Sequence, residues 1–197
     1  MAVSSAFVGI TGASGAPYAV RLIEVLTASN IYTEICASEM GEKVLAYEMR
    51  GMSTRKLAER YGAKRYAPDD LFAPPASGTS TPDATVIAPA SVSTLAKVAT
   101  GAGSNLIHRV ADVTLKERKR LILLEREMPY SLVHLRNMTS VTEAGAVVIS
   151  AAPGFYNHPE SLENIVDFVV GKVLDVMGVE HELTERWGHK RRKEMRS

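Results

Sequence analysis

Residues 105–127 read NLIHRVADVTLKERKRLILLERE, and this stretch decides the fold. Leu106, Val110 and Val113 recur at helical spacing, whereas residues 121–124 form a short continuous apolar run. A helix therefore hands over to a short strand. Arg109, Asp112 and Lys116 stand at i, i+3 and i+7, so they share one helix face, where Asp112 is expected to hold both cations. The strand delivers Arg126 and Glu127 just beyond its last apolar residue. In an open α/β sheet the carboxyl ends of strands are where ligands bind. Two helix cations and an Arg-Glu pair at a strand end suit an anionic ligand with a proton acceptor beside it. A solvated helix with surface ion pairs is the plainer alternative, and it is preferred for Glu117, Arg118, Lys119 and Arg120.

Toward the amino terminus, residues 6–10 form an apolar strand and residues 18–28 an amphipathic helix, joined by TGASGAP at 11–17. Its glycines permit a tight turn and close backbone approach, Ser14 offers a hydroxyl, and the helix start offers free N–H groups. The turn is neither GxGxxG nor a Walker motif, so dinucleotide or nucleoside triphosphate binding is not supported. Residues 32–37 form the second strand, ending at Ser38, and 39–50 a helix that carries Glu48; 54–61 is helical again. Residues 66–83, with APPASGTSTPD at their heart, lack periodicity and suit a lid or an oligomer contact. Residues 85–88 form the third strand. It runs into PASVST, whose Ser91, Val92, Ser93 and Thr94 either cap the helix at 95–100 or hold a phosphate or ring carbonyl.

Toward the carboxyl terminus a helix spans 129–144, the fifth strand 146–150, and an amphipathic helix carrying Lys172 spans 161–177. The fifth strand runs into AAPGFYNHP, which puts Tyr156 on the ligand side of the sheet. Residues 1–187 read as one α/β domain, and 188–197 as a basic, solvated tail beyond Trp187. Strands alternating with helices imply a parallel sheet covered on both faces, Rossmann-like or flavodoxin-like.

The bulk numbers narrow the classes. The 197 residues, 46% of them hydrophobic, are enough for one domain with a sizeable core. A net charge of +1 gives no broad basic field for nucleic acid or a membrane surface. One cysteine, Cys36, excludes an internal disulfide and any CxxC site, and no His/Cys cluster implies a metal. No apolar run is long enough to span a bilayer, and the chain enters AFVGI without a basic n-region, so a cytoplasmic location is expected.

GITGASGAPYAVRL, APPASGT, SNLIHRVADVTLKERKRLILLERE, HLRNM, PGFYNHP and DFVVGKVLD together resemble the UbiX family of flavin prenyltransferases, over residues 8–187. Members of that family were long called aromatic acid decarboxylases. The resemblance implies that dimethylallyl is joined to reduced FMN from dimethylallyl phosphate, giving prenylated FMN for a separate UbiD-type decarboxylase. It also implies a homo-oligomer, a dodecamer. Carried over by position, it places FMN on Gly12, Ala13, Ser14, Ser38, Ser91 to Thr94 and Arg126. The prenyl phosphate then meets Arg109, Lys116, Arg126, Tyr156 and Lys172, with Glu127 against the phosphate and Glu48 and Ser14 near the flavin nitrogen. The nucleophile is the cofactor, so no protein nucleophile or metal is required. Lys172 stands where relatives often carry Arg, and Leu71 where some carry Trp. Two other readings compete: an FMN-dependent decarboxylase of a cysteine-containing substrate, whose PASANT turn is PASVST here, and a non-catalytic FMN-binding module.

Overall fold

Ser5–Ile10 forms β1, and from Ala6 onward every residue of it is buried, as expected of a central parallel strand covered on both faces. The computed structural model describes residues 3–184, so Trp187 and the tail at 188–197 lie outside the described residues. After β1 come α1 (Ala16–Ala28), β2 (Tyr32–Ala37), α2 (Glu39–Glu48), α3 (Thr54–Tyr61) and β3 (Lys64–Tyr66). Two short 3-10 turns, Pro74–Ala76 and Gly78–Ser80, lead to β4 (Ala84–Ala90) and α4 (Val92–Thr100). The chain continues through α5 (Leu106–Lys116), β5 (Arg120–Glu125), α6 (Leu132–Glu143), β6 (Val147–Ser150) and α7 (Leu162–Met177).

The six strands lie in the order β3-β2-β1-β4-β5-β6, and every neighbouring pair is parallel. The order reverses between β1 and β4, which opens a crevice at their carboxyl ends. Alternation along the strands builds two cores. Val8, Ile35, Val86 and Ile122 pack with Leu22, Ile23 and Leu26 of α1 and Leu174 of α7. Phe7, Ile87, Leu121 and Leu123 face the other way, toward Leu106, Ile107 and Val110 of α5 and Val141 of α6. Each such aliphatic side chain contributes about 1.5–3 kcal/mol by leaving water, so truncating one to Ala breaks a layer contact.

The α/β doubly wound fold is as expected, but among the described residues the sheet has six strands rather than five. The extra strand, β3, reads KRY and has no apolar run, because it is a three-residue edge strand with Lys64 and Arg65 exposed. Charged, short edges discourage pairing with other chains. Strand β4 runs past Pro89 to Ala90 because its register with β5 shifts between Ile87 and Ala90, which accommodates a residue without an N–H. Helix α4 begins at Val92, not at 95, and α6 at Leu132, not at 129, where Ser131 and His134 form a capping box. The segment at 66–83 folds over the second core, burying Ala73 and Ala76 while Leu71 and Phe72 stay exposed.

Candidate active site

The reversal point is sewn together by Thr11, the first residue after β1. Its hydroxyl donates to the Pro89 carbonyl at 2.7 Å and accepts the Ser91 N–H at 2.8 Å. Its own N–H also donates to Pro89 O, at 3.2 Å. Thr11 was not among the expected site residues. Its signal was its place, a buried hydroxyl directly after an apolar strand.

Beyond it, Gly12 and Ser14 are exposed, Ala13 is buried, and Gly15 turns the chain with φ at 123°. A Cβ at Gly12 would lie 2.8 Å from the Met40 Cβ, so only glycine lets the turn lie against the start of α2. The expectation of free N–H groups at the start of α1 is corrected here. Glu48, from the last turn of α2, accepts both the Gly15 and Ala16 N–H groups on Oε2, at 3.0 and 2.8 Å. The carboxylate takes the place an anion would occupy at a helix amino terminus. Tyr18 packs its ring over Gly15. Burial holds its hydroxyl above the usual range, with Arg126 pulling the other way and Glu48 adding to the rise.

Ser38 caps α2, its side chain accepting the Gly41 N–H at 3.0 Å. Ser91 caps α4 by accepting the Thr94 N–H at 3.2 Å, and its hydroxyl donates to the Thr94 hydroxyl. The capping alternative for the Ser/Thr turn is thus present. Ser93 remains exposed, and neither its hydroxyl nor that of Ser14 has a partner among the described residues.

At the end of β5, Arg126 donates from Nε to the Ser14 carbonyl at 3.2 Å and so spans the crevice from one strand end to the other. Glu127 turns its Oε1 back onto the Met128 N–H at 3.0 Å. After β6, Tyr156 is exposed and meets Phe168 of α7 edge-on, with ring centroids 5.6 Å apart. Lys172 is exposed on α7.

Neither Arg109 nor Lys116 bonds a residue of this rim within one chain. Arg109 pairs with Asp112 at 2.8 Å and donates from Nε to the Ala76 carbonyl at 3.2 Å. Lys116 pairs with Glu117, not Asp112, and faces Gly78. The shared Asp112 clamp is therefore corrected to a single pair. Thr114, two residues before Lys116, makes a 2.7 Å hydroxyl contact with Thr85, the second residue of β4. Thr85 is five residues from the carboxyl end of β4, roughly 16 Å at the rise of a parallel strand. A helix running antiparallel to the sheet carries its last turn away from the strand ends. Lys119 and Arg120, expected to be solvated, bond the Thr81 and Met177 carbonyls instead.

The rim fits a flavin mononucleotide. Exposed backbone at Gly12 gives a flat ring close approach, and the open Ser14 and Ser93 hydroxyls offer donors beside a guanidinium already fixed in place. No helix among the described residues is long and apolar enough to cross a membrane.

The flavoprotein family profile matches residues 4–174. Flavin prenyltransferase UbiX of Pseudomonas aeruginosa is 43% identical over 191 residues, covering 91% of this chain and 91% of its own. The structure of AnUbiX (PadA1) in complex with FMN and dimethylallyl pyrophosphate superposes with a TM-score of 0.89 at 35% identity, covering 94% of this chain and 97% of that one. A dodecameric FMN-dependent Ubix-like decarboxylase from Escherichia coli O157:H7 superposes with a TM-score of 0.87 at 37% identity, covering 93% and 98%. The glycine turn, the Ser/Thr cap and the Arg-Glu strand end thus sit on a fold and sequence similar to these throughout, and the chain belongs to the UbiX flavin prenyltransferase family of flavoproteins.

Proposed function

We propose that the protein transfers dimethylallyl from dimethylallyl phosphate to reduced FMN, and that the product, prenylated FMN, passes to a UbiD-type decarboxylase. The observation that carries this reading is the crevice at the β1/β4 reversal, where Arg126 grips the Ser14 carbonyl and Glu48 grips the Gly15 and Ala16 amides. Gly12, Ala13, Ser14, Ser38, Ser91 to Thr94 and Arg126 hold the flavin. Reduced flavin, when bound, supplies the nucleophile.

The chain's own residues manage charge and protons. Arg126, Tyr156 and Lys172 stabilise the departing phosphate, with Arg109 and Lys116. Lys172 acts as a point charge, without the bidentate grip of an arginine. Glu127 keeps its Oε2 available and receives there the proton released late in the reaction; Glu48 and Ser14 serve the earlier step at the flavin nitrogen. Lys116 ends α5 away from the strand-end rim of its own chain and Arg109 is engaged by Asp112 and the Ala76 carbonyl there, so both serve the rim of another copy. The protein is therefore a homo-oligomer with shared sites, consistent with the dodecameric relative. The free, buried thiol of Cys36 and the reduced flavin substrate both suit the cytoplasm.

The test is incubation of the protein with reduced FMN and dimethylallyl phosphate, followed by mass spectrometry of the released flavin. A mass increased by one dimethylallyl group is expected. Unaltered flavin, with bound FMN present, overturns the reading.

A further inference from the structure

Glu125, the last residue of β5, has no part in the reaction as described so far. Its side chain is 1% exposed, and its two carboxyl oxygens have different surroundings. Oε2 accepts the Tyr130 hydroxyl, while Oε1 is shut off from solvent and has no hydrogen-bond partner among the described residues. Arg126 and Glu127 follow on the same strand end, His134 faces it from α6, and Tyr130 reaches it from the intervening turn. On β4 the register partner is Ala90, which brings no charge. The Tyr130 hydroxyl also meets the Ser150 side chain at the end of β6.

An ionised carboxylate with one dry oxygen is unfavourable, because that oxygen loses its water and gains nothing. A carboxylic acid in the same place is not. Its proton on Oε2 can point to the Tyr130 oxygen, and the Tyr130 hydrogen can turn to Ser150. Burial is the largest influence and pushes the Glu125 carboxyl above the usual range. The Tyr130 hydroxyl pulls it down, Glu127 pushes it further up, and Arg126 and His134 pull it down.

We propose that Glu125 carries a proton in the resting protein and, through Tyr130, acts as a positioning residue for Glu127. An uncharged Glu125 leaves the carboxylate charge of this strand end to Glu127 alone, and the Tyr130 bond folds the turn at 126–130 back onto the strand. The role given to Glu127 rests on the prenyl-transfer reading; the protonation of Glu125 is a property of the protein alone. When pH rises through the folded-state pKa of Glu125, a second negative charge forms beside Glu127 and opposes a phosphate dianion, so turnover falls.

Infrared spectra of the ligand-free protein, wild type against Glu125→Gln, read the proton directly. A protonated-carboxyl band at neutral pH that disappears in Glu125→Gln is expected. In pH profiles of turnover, Glu125→Gln should keep its plateau about one pH unit or more further into the alkaline range. Tyr130→Phe, which removes a donor to Oε2, should move the alkaline fall upward and shift the infrared band. If Glu125→Gln does not fold, the band in the wild type and its shift in Tyr130→Phe carry the test. Absence of a Glu125 band, an unshifted band in Tyr130→Phe, superimposable pH profiles, or a loss of about tenfold or more at every pH in Glu125→Gln overturns the proposal. Failure of the wild type to prenylate flavin would sink the functional reading and leave the infrared result to stand by itself.

Discussion

Glu48 reaches across from α2 to the Ala16 amide, its Oε2 lying 2.8 Å from that nitrogen and 3.0 Å from Gly15 N. One carboxylate thereby caps α1 and closes one side of the crevice. Glu48→Ala leaves two amides unmatched and should cost about 0.5–2 kcal/mol of stability, the range of a lost helix cap. Glu48→Gln keeps an acceptor oxygen and loses only the charge. Urea unfolding should therefore register little change for it, while prenyl transfer falls by about 10²-fold or more if Glu48 handles a proton. Full turnover in Glu48→Gln would leave this residue with the cap alone.

Thr11→Val leaves the Ser91 N–H unmatched and the Pro89 carbonyl with only the Thr11 N–H at 3.2 Å. Each buried, unsatisfied group costs about 1–3 kcal/mol. Thermal unfolding should show a lowered midpoint, and FMN affinity should weaken because the two sides of the crevice lose their link. Thr11→Ser, which keeps the hydroxyl, should recover most of both.

Glu127→Gln tests the proton role at the end of β5. FMN binding, followed by flavin fluorescence, should be unchanged, and product formation should slow by about 10²–10⁴-fold, the usual contribution of a positioned acid or base. Wild-type product formation would reduce Glu127 to a partner of the neighbouring cations.

Arg109 and Arg126 supply a test of shared sites. Arg109→Ala and Arg126→Ala should each lose most turnover. Oligomers formed from a mixture of the two should regain part of it, because some sites then receive both arginines from intact copies. If each site were built from a single chain, mixing would restore nothing.

His108 makes the fold sensitive to acid. Burial first, and then Lys97, push its imidazole down to about 4, and its Nδ1 accepts the Ser104 N–H at 3.2 Å. A folded value below the ordinary 6.5 means that the unfolded chain binds the proton more readily. The stability from neutral His108 is thus complete above pH 6.5 and is lost as pH falls through about 4. Unfolding midpoints should drop across that window, and His108→Asn should flatten the drop.

The sequence by itself determined the doubly wound fold. Its signals are local: apolar runs at 6–10 and 121–124, a glycine turn between strand and helix, and helical periods at 106–116. Such runs specify burial on two faces wherever they occur, so Ser14, Ser91 and Arg126 could be placed at strand ends before any coordinates. The edge strand β3 escaped because an exposed edge needs no apolar pattern to form; it takes its hydrogen bonds from β2. Only tertiary structure decided which partners the charges take. Arg109 and Lys116 share a helix face with Asp112, yet Lys116 pairs with Glu117 and lies far from Arg126, because α5 runs back along the sheet. Glu48 and Ala16 are separated by 32 residues in the chain, as are no two members of a local motif, and their contact arises from α2 packing its last turn beside the start of α1. Thr11 and Glu125 were missed for the same reason: a hydroxyl or carboxyl gains its role from what burial leaves around it, and burial is a property of the whole fold.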